Sequence, residues 1–193
     1  MNREILEKYI TSLLPMPTDK ATLFAEQFEP IELQKGDLIL KENKISKETY
    51  FLESGFIRSF TFDNNAEEVT TNIFSAPCFV NDFLSFFKQQ PTKENLQTLT
   101  NCKLWKMNYE VVQTNFHSYP EFREFGRIML VTNYSILHDR MLEMIKDTGE
   151  IRYLKMLKKH AAIFQNIPLK IIASYLGITD TSLSRIRKEI AQK

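Results

Sequence analysis

The chain has 193 residues, of which 43% are hydrophobic, enough for one large domain or two modest ones with a buried core. Its two cysteines, Cys78 and Cys102, lack CxxC or close metal-ligand spacing and read as reduced, buried thiols, and no apolar run is long enough to span a membrane. The formal charge of +1 is unevenly spread: residues 151–193 hold nine cations and two acids, a net of +7, against a net of −6 for the rest. A basic tail on an acidic body suits a nucleic-acid-binding module on a separate sensor, although a solvated basic face has the same composition.

Residues 2–28 are predicted helical, with a break at Pro15 and Pro17. The first eight residues alternate charged and apolar side chains as an amphipathic helix does. They lack a signal-peptide core, so the expected location is cytoplasmic. From residue 29 to about 107 the pattern changes to short β runs at 37–40, 50–52, 56–62, 69–74, 96–100 and 103–107. Turns at 35–37, 53–55, 63–65 and 75–77 punctuate them, and the regular spacing predicts a closed roll or sandwich.

From Pro120 the period becomes helical. Leu130, Tyr134, Leu137, Met141 and Met144 step by four, three, four and three, a heptad seam. Phe122, Phe125, Met129 and Ile136 make a second apolar face. Two faces imply two packing partners, the β body and the same helix of a second subunit; a fully buried helix in a monomer is the alternative. Residues 147–149 end this helix, 150–164 read as another, and Pro168 suits the first position of the next.

Residues 171–188 read as a helix-turn-helix. Ile172, Ala173 and Leu176 give the first helix an apolar face, and Ala173 is small where a second helix must cross. Gly177 supplies the backbone conformation wanted just past a helix end. Thr179 suits the cap of the second helix, Asp180 its positive first turn, and Leu183 and Ile186 its inward stripe. The outer face carries Thr181, Ser184, Arg185 and Lys188, donors and cations suited to a DNA groove. Arg185 is the expected base contact, to guanine; Thr179, Ser182, Arg187 and Lys170 would position the phosphate backbone, and Asp180 would accept from cytosine or only favour the helix start. The same pattern also suits an ordinary helical hairpin in a core.

The order of β-roll, seam helix and basic helix-turn-helix resembles the Crp/Fnr family of transcription regulators over nearly the whole chain. Lys35-Gly36-Asp37, residues 50–58 and the run from Cys102 to Tyr109 look like a cyclic-nucleotide-binding domain, and residues 148–151 resemble the family's hinge. The resemblance implies an α+β fold in three parts. These are a double-stranded, jelly-roll-like β-roll sensor with flanking helices at 1–117, a long dimerisation helix at 118–146, and a helix-turn-helix domain at 147–193 without a full wing. It implies a homodimer whose recognition helices enter major grooves about one DNA turn apart. Double-stranded DNA, a second copy of the chain, RNA polymerase and a small-molecule effector are the implied partners, with no membrane.

The departures concern the effector. Members that bind cyclic AMP use a Gly-Glu pair and an Arg around the phosphate; here the matching stretch, residues 79–86, has Asn81-Asp82 instead. The Arg would fall near residues 91–93, and no arginine occurs between Arg58 and Arg123. Lys93 brings charge without the bidentate fork. Cyclic AMP is therefore not the expected effector, and none is named. Phe79, Asn81, Asp82, Phe83, Thr92 and Lys93 are the candidate effector pocket. The rings of Phe79, Phe83, Phe86 and Phe87 either hold a more apolar ligand or fill the interior of the roll. His117, His138 and His160 are scattered, Glu67-Glu68 sits beside a turn, and no metal site, iron–sulfur ligand set or catalytic constellation is expected. The alternative to a regulator is a ligand-sensing or protein-interaction module whose helix-turn-helix does not bind DNA.

Overall fold

The structure is a computed structural model and describes residues 1–192. Its chain divides into two compact units, one of Met1–Arg58 with Phe74–Asn133 and one of Ser59–Ile73 with Tyr134–Lys193.

In the first unit, α1 (Arg3–Leu13) begins where the Asn2 side chain accepts the Glu4 N–H, and buries Leu6 and Ile10. Pro17 precedes α2 (Thr18–Glu26), which buries Ala21, Phe24 and Ala25. The helices separate across Pro15 and Pro17, because proline lacks the N–H that a continuing helix needs. The strands β1 (Glu29–Leu33), β2 (Leu38–Leu40), β3 (Glu48–Ser54), β4 (Phe56–Phe62), β5 (Glu68–Ser75) and β6 (Cys78–Val80) follow. Next come the short helix α3 (Phe83–Lys88), then β7 (Asn95–Thr98) and β8 (Cys102–Asn108). They form two four-stranded sheets, ordered β1-β8-β3-β6 and β2-β7-β4-β5. Three of these elements escaped the sequence pattern: β1, β6 and α3. β1 holds Pro30, which an edge strand paired only with β8 tolerates.

The central strands of the first sheet, β3 and β8, are buried on both faces, as the continuous Tyr50-Phe51-Leu52 run requires. Tyr50, Leu52, Val80 and Leu104 pack with Leu40, Ile57 and Leu96 into the roll's interior. Phe51, Phe79, Trp105 and Met107 point the other way, onto Leu6, Ile10, Phe24 and Phe28. The pairing Phe51↔Phe79 and Phe51↔Trp105 sets this register. The phenylalanines considered as filling of the roll therefore do not fill it. Strand alternation sends Val80 inward and Phe79 outward, leaving an interior that is mostly aliphatic, with Tyr50 its buried aromatic and Phe74 packed against it.

Asn108 caps α4 (Tyr109–Ser118) by accepting the Val111 N–H, and α5 (Pro120–Lys146) follows. Phe122, Phe125 and Met129 are buried as expected. Ile136 is not: it is 57% exposed, because it lies beyond Asn133, where the first unit and its core end.

The second unit holds the far half of α5 together with α6 (Gly149–Lys159), α7 (Ala161–Asn166), α8 (Leu169–Tyr175) and α9 (Asp180–Ala191). Thr148 caps α6 by accepting the Ile151 N–H. The single helix expected over 150–164 is two helices. His160 leaves helical backbone at φ −140°, which turns Ile163 inward and sets Phe164 edge-on to Tyr153 at 5.2 Å. Pro168 is the cap of α8 rather than its first residue.

Candidate functional site

The C-terminal helix pair is built by local rules. Gly177 lies at φ +65°, just past α8, and the Ile178 N–H reaches back to the Ala173 carbonyl at 3.0 Å, a closure typical of glycine-ended helices. A Cβ at Gly177 would stand 2.5 Å from the Met144 Cε, so the glycine serves both the turn and the close approach of α5. Thr179 caps α9 by accepting the Ser182 N–H at 3.2 Å, and its hydroxyl also bonds the Thr181 and Ser182 hydroxyls at 2.9 Å. Ile172, Ala173, Leu176, Leu183 and Ile186 are all buried, so the two stripes face each other. Burial of both stripes leaves a polar outer face. Thr181, Ser184, Arg185 and Lys188 share it by their helical spacing, and Asp180, Arg187 and Lys170 are exposed as well. Arg185 is 74% exposed and only loosely paired with Glu189 at 3.9 Å. Lys193, the last cation of the basic tail, lies outside the described residues.

Three cations that the sequence pattern did not single out hold this unit together. Arg140 of α5 donates to the Thr71 carbonyl, donates to the Tyr175 carbonyl at 2.9 Å, and stacks 3.9 Å over the Tyr175 ring. Beside it, the Thr70 N–H donates to the Ser174 hydroxyl at 2.8 Å. Arg152 donates to the Leu176 carbonyl at 3.0 Å and the Asp147 carbonyl at 2.5 Å. Exposed Lys155 bridges Glu143 and Asp147 at 3.2 and 2.6 Å, and hydrogen bonds to these half-buried carboxylates raise its pKa. Nothing in one-dimensional spacing marks an arginine that serves carbonyls 69 and 35 residues away.

The heptad seam of α5 is uncovered. Leu130, Tyr134, Leu137, Met141 and Met144 are between 42% and 71% exposed, and Val131 and Ile145 widen the stripe.

The six residues of the candidate effector pocket do not act as one group. Phe79, Asn81 and Phe83 line a cavity of about 50 Å³ together with Phe86, Phe87 and Phe125. Asp82 serves elsewhere. Its carboxylate accepts the Ser85 N–H at 3.0 Å as the cap of α3, and accepts the hydroxyl of buried Thr92. Thr92 in turn bonds the Glu94 N–H and carbonyl, and Lys93 is exposed. The cavity lies on the helix side of the first sheet, with the ring cluster, and not in the roll.

Elsewhere burial raises the phenol pKa values of Tyr9 and Tyr50. Burial pushes the half-buried Cys78 thiol up to about 12 and raises that of Cys102, which is buried. Burial, aided by Lys159, lowers the His160 pKa. Among the described residues no His/Cys/Asp/Glu group is placed to hold a metal, and no helix is long and apolar enough to cross a membrane.

Residues 30–119 match the family model of the cyclic nucleotide-binding domain. The c-di-GMP-responsive global regulator CLP of Xanthomonas campestris is similar over 91% of this chain and 92% of its own, at 15% identity and a TM-score of 0.71. FixK2 from Bradyrhizobium japonicum is similar over 86% of this chain and 85% of its own, at 12% identity and a TM-score of 0.72. An Eubacterium rectale chain ascribed to transcriptional regulators of the Crp/Fnr family is similar over 93% of this chain and 88% of its own, at 15% identity and a TM-score of 0.71. No curated protein sequence matches the chain significantly. The class defined is a cyclic-nucleotide-binding fold followed by a long helix and a helical C-terminal unit. The solved structures that share it over most of this chain's length include regulators of the Crp/Fnr family.

Proposed function

We propose that this chain is a homodimeric, sequence-specific DNA-binding transcription regulator of the Crp/Fnr type, without enzymatic activity. The observation that carries the reading is the outer face of α9, where Thr181, Ser184, Arg185 and Lys188 stand exposed on a helix fixed from behind by Leu183 and Ile186. Arg185 offers two parallel N–H donors, which match the paired acceptors of guanine in the major groove. Thr179 and Ser182, tied to each other in the cap, present hydroxyls at the positive end of α9, where a phosphate is favoured. Arg187 and Lys170 add sequence-independent attraction. The uncovered seam of α5 supports the dimer, since a stripe of large apolar side chains in water calls for a partner.

Cyclic AMP does not belong to this reading. A phosphodiester at α3 would meet the Asp82 carboxylate, which already accepts the Ser85 N–H at the helix start and is held there by Thr92. Lys93 supplies no fork to offset that charge.

In vitro selection of DNA by the purified protein tests the proposal. The expected product is a palindromic consensus with half-sites about one helical turn apart. Enrichment of no sequence, from stable dimers, would reassign the chain to a sensing or protein-interaction module.

A further inference from the structure

From the cavity on the helix side of the first sheet we infer a binding site for a small, neutral aromatic molecule carrying one hydrogen-bond donor, such as a phenol. The walls are eight phenylalanine rings with Met107, Val112 and Met129, and only two lining residues, Thr49 and Asn81, carry a polar side chain. Rings already pack edge-on here, as between Phe79 and Phe125 at 5.5 Å and between Phe86 and Phe87 at 5.2 Å. A flat aromatic guest continues that pattern better than an aliphatic one.

Asn81 supplies the specificity. It directly follows β6 and lines the cavity together with Phe79, away from the roll. Its amide oxygen is buried and has no hydrogen-bond partner. A buried acceptor among apolar walls favours a guest that donates. A charged guest finds no counter-charge among the lining residues.

The site has a built-in route to the rest of the chain. Phe122, Phe125, Gly126 and Met129 belong to α5, and Met129 directly precedes Leu130, where the exposed seam begins. Gly126 lets α5 close on α4, since a Cβ there would stand 2.5 Å from the Phe116 ring. The opposite wall is α3, whose Phe83 and Phe87 stack at 6.2 Å and are only half-buried, so they can swing to admit a guest larger than the resting space. Occupancy thus bears directly on the root of the seam helix. The site stands whether or not α9 reads DNA.

The test titrates the full chain with phenol and with toluene, which has the same shape but no donor, and follows amide chemical shifts. Phenol is expected to bind roughly two- to tenfold tighter, the value of one neutral hydrogen bond, with shifts centred on Phe83, Phe125 and Met129. Asn81→Leu should reverse the preference, since the phenol hydroxyl would then be buried without a partner, while toluene still binds. Val112→Phe should exclude both guests. Equal affinities for the two in the native protein, no binding of either up to its solubility, or shifts centred on Leu52 and Leu104 inside the roll would each overturn the assignment. The comparison in the native protein needs no variant to fold.

Discussion

Arg140 makes a demanding prediction, because it ties its own helix to two other segments of the second unit, at Thr71 and Tyr175. Replacing it with methionine keeps most of the aliphatic stem and removes the donors to the Thr71 and Tyr175 carbonyls and the stack on Tyr175. A hydrogen bond from a cation is worth about 1.5–3 kcal/mol, and the half-buried setting argues for the low end. Stacking adds about 0.5–1 kcal/mol, and the retained stem returns part of the loss, so the expected cost is about 3 kcal/mol. Arg140→Lys keeps the charge but one donor direction, and should recover about half. Hydrogen exchange of the intact protein reads the effect locally, since the Thr70 N–H depends on Ser174. A loss of 3 kcal/mol speeds that exchange about a hundredfold if the contact opens locally. Amides of the roll, such as Leu104, should be unchanged. A change below threefold at Thr70, or an equal change in the roll, would refute the idea that Arg140 fastens this unit.

Three other outcomes are expected. Arg185→Ala should cost about 1–3 kcal/mol on the selected site and relax preference at one base, measured by competition binding; equal loss on random DNA would make Arg185 a phosphate contact. Tyr134→Glu with Leu137→Glu, both on the exposed seam, should convert the proposed dimer to a folded monomer in sedimentation, and an unchanged dimer mass would remove the seam from the interface. Cys78, with its thiol pushed up to about 12 by burial, should react with iodoacetamide at pH 8 about a thousandfold slower than an open thiol, because the thiolate is the nucleophile. Alkylation at the ordinary rate would show the strand opening.

The parts legible in the sequence are those set by neighbours a few residues apart. Gly177, the Thr179 cap and the stripes of Ile172, Leu176, Leu183 and Ile186 obey local helix rules, and the structure places each in its expected role. The seam of α5 was visible for the same reason. The side of the sheet to which Phe79 points was not, because alternation gives two equivalent answers until Phe51 and Trp105 are paired with it. Short elements also escaped: three residues of β6 and six of α3 are too few to show a period. Asp82 looked like a pocket residue because its role depends on Thr92, ten positions on. Arg140 was invisible for the same reason at longer range.

The tie between Thr70 and Ser174 spans 104 positions of chain. A ribosome adding about 5–20 residues per second makes the hairpin of β4 and β5 roughly 5–20 s before its partner exists. During that interval the Thr70 N–H lacks its hydroxyl, and Phe62 and Val69, exposed even in the finished fold, stand on a hairpin tip with nothing beside it. Over that interval the nascent chain is open to wrong pairing at 59–73, and synthesis of α8, which carries Ser174, ends it.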